Sequence, residues 1–284
     1  MFGSNQIVGK QYFAQAPADS LFVTSLFFTL QGEGPYRGEP AFFIRLAKCN
    51  LACSFCDTAF EQGDWCHFDA LFTEIDQLIY KFFEQKGLPV PVWASATPKK
   101  MVLVVTGGEP SLQNNLSAFL HLATEKFALT QIESNGTSVL PNFPAKTTLV
   151  VSPKAYEKNG LAVRYLKPAN AMLARADHLK FVMSAPEDKK FAVYSTVPDW
   201  AHQWAQSTGK QVFISPMNIY HHNPTHAELS NVSARSEINE RVSFWTEGLL
   251  DREKNQKNHE YAAEYALVHG FTLNLQIHLY ASLP

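Results

Sequence analysis

The 284-residue chain is short of the features that would mark it for export, a membrane or nucleic acid. It has four cysteines, and three of them fall within eight positions, so it does not carry the scattered pairs of a secreted disulfide framework. No apolar run is long enough to cross a bilayer. Residues 1–17 lack the basic start and apolar stretch of a signal peptide. The formal net charge of −2 gives no argument for binding nucleic acid or an acidic membrane surface. There is no internal repeat and no visible boundary to a second domain. These absences lead us to expect a single domain over residues 1–284 in a reducing, cytoplasmic setting. The hydrophobic content of 46% is enough for a sizeable core.

What is present is organised around Cys49, Cys53 and Cys56, spaced Cys-x-x-x-Cys-x-x-Cys directly after an apolar run at 41–46. Three thiolates on one loop can hold three irons of a 4Fe-4S cube and leave the fourth iron for a ligand that is not protein. The competing reading is a zinc knuckle, which needs a fourth ligand; Cys66 or His67 would have to supply it.

Around this loop the pattern is α/β. Strands are expected at 21–30, 41–46, 101–105, 129–133, 148–151, 178–183, 211–214 and 271–275. Helices are expected at 68–86, 112–127 and 258–269, the first with apolar positions at helical period closed by Gly87. Strands alternating with helices argue a mainly parallel sheet. Polar motifs repeatedly follow the strands, where α/β folds gather their functional groups. Residues 219–255 break the pattern and read as an insertion. Its His221, His222 and His226 are open to two readings, a metal site or a solvated loop.

Thr106-Gly107-Gly108-Glu109-Pro110 follows a buried strand, and its glycines would let a ligand approach the backbone. With the cysteine loop, it resembles the Gly-Gly-Glu-Pro motif with which radical S-adenosylmethionine (SAM) enzymes hold the SAM amino group. Gln31-Gly32-Glu33-Gly34, Arg45 and Cys56-Asp57-Thr58 narrow the likeness to the 7-carboxy-7-deazaguanine synthases. Glu133-Ser134-Asn135-Gly136-Thr137, Ser152-Pro153-Lys154, Ser215-Pro216-Met217-Asn218 and Gln276-Ile277-His278 follow in order. Two departures are Ser134, where the family often has Thr, and Leu279, where a Lys is common.

The resemblance implies a partial (β/α) barrel of the radical SAM type. It implies a homodimer that uses SAM, a 4Fe-4S cluster on Cys49, Cys53 and Cys56, and Mg²⁺ at Thr58, reduced by a donor such as flavodoxin or ferredoxin. The implied reaction contracts 6-carboxy-5,6,7,8-tetrahydropterin to 7-carboxy-7-deazaguanine with loss of ammonia. No catalytic side chain is implied beyond the cofactor-derived radical. Substrate contacts would come from Leu30, Gln31, Gly32, Glu33, Arg45, Thr106, His278 and Pro284. Phe55, Cys56, Asp57, Gly108, Glu109, Ser152, Pro153, Lys154, Ser215, Pro216, Met217 and Asn218 would line the SAM site. On a last strand, Gln276 and His278 would share one side by the period of two. Two other functions remain open on the same motifs: a different radical SAM enzyme, such as a glycyl-radical activator, or a metal-bearing binding protein without catalysis.

Overall fold

The computed structural model describes residues 6–58, 60–139, 142–221 and 243–283. Its strands are β1 (Ser20–Leu30), β2 (Pro40–Leu46), β3 (Asp64–His67), β4 (Lys99–Gly107), β5 (Phe127–Ser134), β6 (Thr147–Val151), β7 (Ala155–Lys158), β8 (Leu161–Tyr165), β9 (His178–Met183), β10 (Val212–Pro216) and β11 (Thr272–Leu273). The helices are α1 (Phe68–Gln85), α2 (Val92–Ser95), α3 (Leu116–Lys126), α4 (Asn170–Arg175), α5 (Asp199–Thr208), α6 (Arg252–His269) and α7 (Ile277–Ala281).

Nine strands form one sheet in the order β11-β10-β9-β6-β5-β4-β2-β1-β3. From β2 to β11 every neighbouring pair is parallel, while β1 runs antiparallel to both β2 and β3. Strand alternation separates two apolar layers. Met101, Leu103 and Val105 of β4 face the main core, shared with Leu71 and Ile75 of α1 and Phe119 of α3. Val102 and Val104 point the other way and pack with Ala41 inside the curve of the sheet. The curl is tied between its first and last parts by the turn after β1. There Gly34 N–H donates to Asn274 Oδ1 (3.1 Å) and Arg37 Nη1 to Leu273 O (3.0 Å). The sheet is therefore an open, partial barrel, with the carboxyl ends of its parallel strands gathered on one side.

Several elements differ from the sequence expectation. The last strand is two residues long, and residues 277–281 are helical, so Gln276 and His278 do not alternate along a strand. The strand gives way at Asn274: its N–H makes one further bond to β10, at Ile214 O (2.7 Å), and its buried side chain turns to Gly34 and Ser215. Helix α6 begins at Arg252, inside the stretch assigned to the insertion, because Asp251 caps it through Lys254 N–H. Its buried face includes Asn255 and Asn258, which hides its period from an apolar pattern. Asn258 accepts from Ala185 N–H and donates to Met217 O, both at 2.8 Å. The hairpin β7–β8 and helices α4 and α5 were not anticipated. Residues 222–242, with His222 and His226, lie outside the described residues.

Candidate active site

The cysteine loop follows β2 and is held by the end of β4. Gly108 N–H donates to Leu46 O (2.8 Å) and Glu109 N–H to Lys48 O (2.9 Å). Gly107 has φ +117°, and a Cβ on Gly108 would stand 1.8 Å from Lys48 O. The glycine pair thus serves a close approach of the chain to itself. The sequence reading had that approach made by a ligand. Gly108 nevertheless lines the cleft.

Two further braces hold the loop. Asn50 donates to Thr137 Oγ1 (2.7 Å) and accepts from Asn135 Nδ2 (2.9 Å), latching the loop to the turn after β5. On its other side, the Glu157 carboxylate of β7 accepts from Ser54 N–H (3.0 Å). Phe55 meets Tyr194 edge-on at 5.0 Å in a small apolar cluster that also contains Met217.

A cleft of about 220 Å³ opens at the carboxyl ends of the parallel strands. Cys49, Cys53 and Cys56 all line it. Burial pushes their thiols up to about 12, 11 and 12, so as thiols they hold their protons at neutral pH. Deprotonation there needs a bound cation, as thiolate ligation of iron supplies. Among the described residues no three His, Cys, Asp or Glu side chains converge tightly enough to hold one metal ion. A cube places each thiolate on its own iron and needs no such convergence. Cys66 lies in β3 within the main apolar core, and neither it nor His67 lines the cleft. The donor set in the cleft therefore fits three irons of a cluster, and both proposed fourth zinc ligands lie elsewhere.

Opposite the thiols the cleft is polar. Gln31 is buried; its Oε1 accepts from Glu33 N–H (3.1 Å), and its Nε2 has no partner among the described residues. Arg45, whose guanidinium sits over the Phe27 ring, donates to Thr58 Oγ1 at 2.9 Å, and Thr58 donates to Asp57 at 3.0 Å. His278 reaches the site from α7, and its Nδ1 would lie 2.3 Å from a Cβ on Gly32. Burial, and then the Arg45 charge, lower its pKa to about 4, so the ring is neutral. Lys154 is buried, its pKa lowered by that burial, and it donates to Ser152 O (2.7 Å) and Ser152 Oγ (2.6 Å).

Of the sequence candidates, Thr106, Ser215, Pro216, Asn218 and Asp57 also line the cleft, whereas Leu30, Glu109, Pro153 and Met217 do not. The Glu109 carboxylate points inward instead. It accepts from Ser111 N–H, Ser134 Oγ and Asn135 N–H at 3.0, 2.7 and 2.7 Å, bracing the turn after β5. Pro284 lies outside the described residues. Sequence reasoning passed over Lys180, which lines the cleft together with Glu133 and Gln276, two residues of the matched motifs to which it gave no contact of their own. The available signal was a charged residue inside an apolar strand, as in Leu179-Lys180-Phe181.

Comparison with known proteins gives the same direction. No protein-family model matches the chain. It is similar to a 7-carboxy-7-deazaguanine synthase of Rickettsia prowazekii, 30% identical over 283 residues that span 100% of this chain and 96% of the relative. It is also similar to one of Rhodospirillum rubrum, 33% identical over 226 residues, covering 76% and 82%. The fold matches the crystal structure of QueE from Escherichia coli with a TM-score of 0.54 at 18% identity, over 95% of this chain and 99% of that one. With 30% identity to a relative along the full chain and three thiols in the cleft of a partial barrel, the chain belongs to the 7-carboxy-7-deazaguanine synthase family.

Proposed function

We propose that this chain contracts 6-carboxy-5,6,7,8-tetrahydropterin to 7-carboxy-7-deazaguanine with loss of ammonia, using SAM and a 4Fe-4S cluster on Cys49, Cys53 and Cys56. One observation carries the reading: among the described residues a single cleft holds three thiols with no fourth cysteine and, across from them, a donor and an acceptor set to read a flat heterocycle. Gln31 Nε2 is a buried donor without a partner among the described residues, and such a group is costly until a ligand satisfies it. Glu33, two residues on, brings an acceptor for ring N–H and amino groups. A pterin edge carries a carbonyl beside such donors.

The cluster with SAM on its open iron would supply a 5′-deoxyadenosyl radical. The residues of this chain bind, orient and exclude water. Gly108, Asn135, Ser152 and Ser215 present small or amide groups beside the cysteines, where SAM would lie. Arg45 offers a planar cation to the pterin carboxylate. Thr58 offers a neutral hydroxyl to Mg²⁺, with Asp57 alongside. His278 is neutral and donates or accepts without adding charge. We further propose one catalytic domain, assembly as a homodimer, and electrons from a flavodoxin or ferredoxin.

The test is anaerobic incubation of the reconstituted protein with SAM, a reductant, Mg²⁺ and the carboxytetrahydropterin. Mass analysis should find a product lighter than the substrate by one ammonia. SAM cleavage without that product would overturn the assignment.

A further inference from the structure

Lys180 stands in the middle of β9, between Leu179 and Phe181, which face the main core. Its side chain points the other way, into the cleft, and is 6% exposed. Nζ donates to Glu33 Oε2 and to Glu133 Oε2, each at 2.5 Å. One ammonium therefore spans two carboxylates that come from the turn after β1 and from β5. The two acids are not held alike. Glu133 also accepts from Gln131 Nε2 on its other oxygen at 3.0 Å, so both of its oxygens are tied. The Glu33 side chain is bound through the lysine, and Glu33 sits two residues from the unpartnered Gln31 amide.

We propose that Lys180 is a positioning residue for substrate recognition: anchored on Glu133, it clamps Glu33 as the ionised, correctly turned acceptor beside the Gln31 donor. This rests on the pterin reading of the cleft. The division of labour follows from the bonds. The fully tied carboxylate fixes the ammonium, and the singly tied one keeps an oxygen for the ligand. An ionised Glu33 accepts two hydrogen bonds from neighbouring N–H groups on a ring edge. A protonated one presents a donor and reads a different edge.

The charges facing Glu33 bear on this. Burial raises its pKa, Lys180 opposes that, and Glu133 and Asp57 add to the rise. Arg45, Lys154 and His278 share the cleft, and Tyr220 lies within electrostatic reach. Removing Lys180 leaves Glu33 buried beside two anions and drives it toward the neutral form.

The experiment compares wild type, Lys180→Met, Glu133→Gln and the double variant. Lys180→Met should move the acid limb of kcat/KM for the carboxytetrahydropterin up by about one pH unit or more, and raise KM about tenfold. Cluster absorbance and pterin-independent SAM cleavage should persist. The double variant should bring the limb part of the way back, because it removes one of the facing anions. A lysine with only a packing role would shift no limb and gain nothing from the second change. If Lys180→Met does not fold, Glu133→Gln against the double variant makes the same comparison without two facing carboxylates. Titration of the Glu33 carboxyl by carbon NMR, without pterin, reads the proposal independently of turnover. A Glu33 that titrates alike with and without Lys180 overturns it. A Glu33 that shifts while wild type makes no deazaguanine overturns the proposed reaction and leaves the clamp standing.

Discussion

At the scale of single residues, the site is decided by which atoms are already engaged. Gly108 has no room for a methyl group, since a Cβ would meet the Lys48 carbonyl at 1.8 Å and backbone cannot give way as a side chain can. Gly108→Ala should therefore cost about 2–4 kcal/mol, with a lower thermal midpoint and less iron after reconstitution. The four cysteines divide by location. Cys49→Ala removes a thiol from the cleft and should abolish the cluster's visible absorbance. Cys66→Ala trims a core side chain for about 1 kcal/mol and should keep that absorbance. Thr58 receives the Arg45 guanidinium and donates to Asp57. Thr58→Ala should weaken the Mg²⁺ dependence of turnover while SAM still binds; an unchanged Mg²⁺ titration would reject that ligand.

At the scale of elements, polar side chains hold the strand ends and helices in register around the cleft. Helix α6 docks on the sheet through Asn258, which satisfies Ala185 N–H and Met217 O together and is buried. Asn258→Ala leaves both backbone groups without their partner, each at a cost of about 1–3 kcal/mol. The expected outcome is an unfolding free energy lowered by that total, read as a lower urea midpoint at unchanged slope. Asn274 does the corresponding work at the other end, joining the turn after β1, β10 and the residues that lead into α7. Hairpin β7–β8 matters through Glu157, whose carboxylate caps the cysteine loop at Ser54.

For the whole molecule, the enclosed charge makes stability depend on pH with a definite sign. His278 titrates at 6.5 in its ordinary state and near 4 when buried here. Below 6.5 the unfolded chain binds a proton that the folded chain refuses. The folded state is therefore favoured above 6.5 and loses ground as pH falls toward 4, by roughly 3 kcal/mol at the limit. His278→Asn lacks this proton. The stability gap between wild type and variant should shrink steadily from neutral pH to about pH 4, as read from paired urea titrations. A gap independent of pH would mean that the ring is solvated.

The chain's order of motifs was enough to determine the α/β class, the three cysteines gathered on one loop and most of the residues around the cleft. Each of those signals is local: three thiols within eight positions, glycines after a buried strand, an arginine inside an apolar run. Several assignments were decided only by the fold, because they depend on what lies opposite. Glu109 looked like a ligand's partner, but three donors from its own turn and the one after β5 draw its carboxylate inward. The glycine pair looked like room for a cofactor; the chain's own backbone fills the side where their Cβ atoms would stand, while both glycines still line the cleft. Helix α6 began earlier than its apolar period, since buried asparagines face the sheet. Lys180 lies 147 residues from Glu33 and 47 from Glu133, separations that no sequence window spans. Local chemistry follows from neighbours along the chain, whereas the pairing of buried charges follows from strand order and from the side of the sheet to which the period of two assigns each side chain.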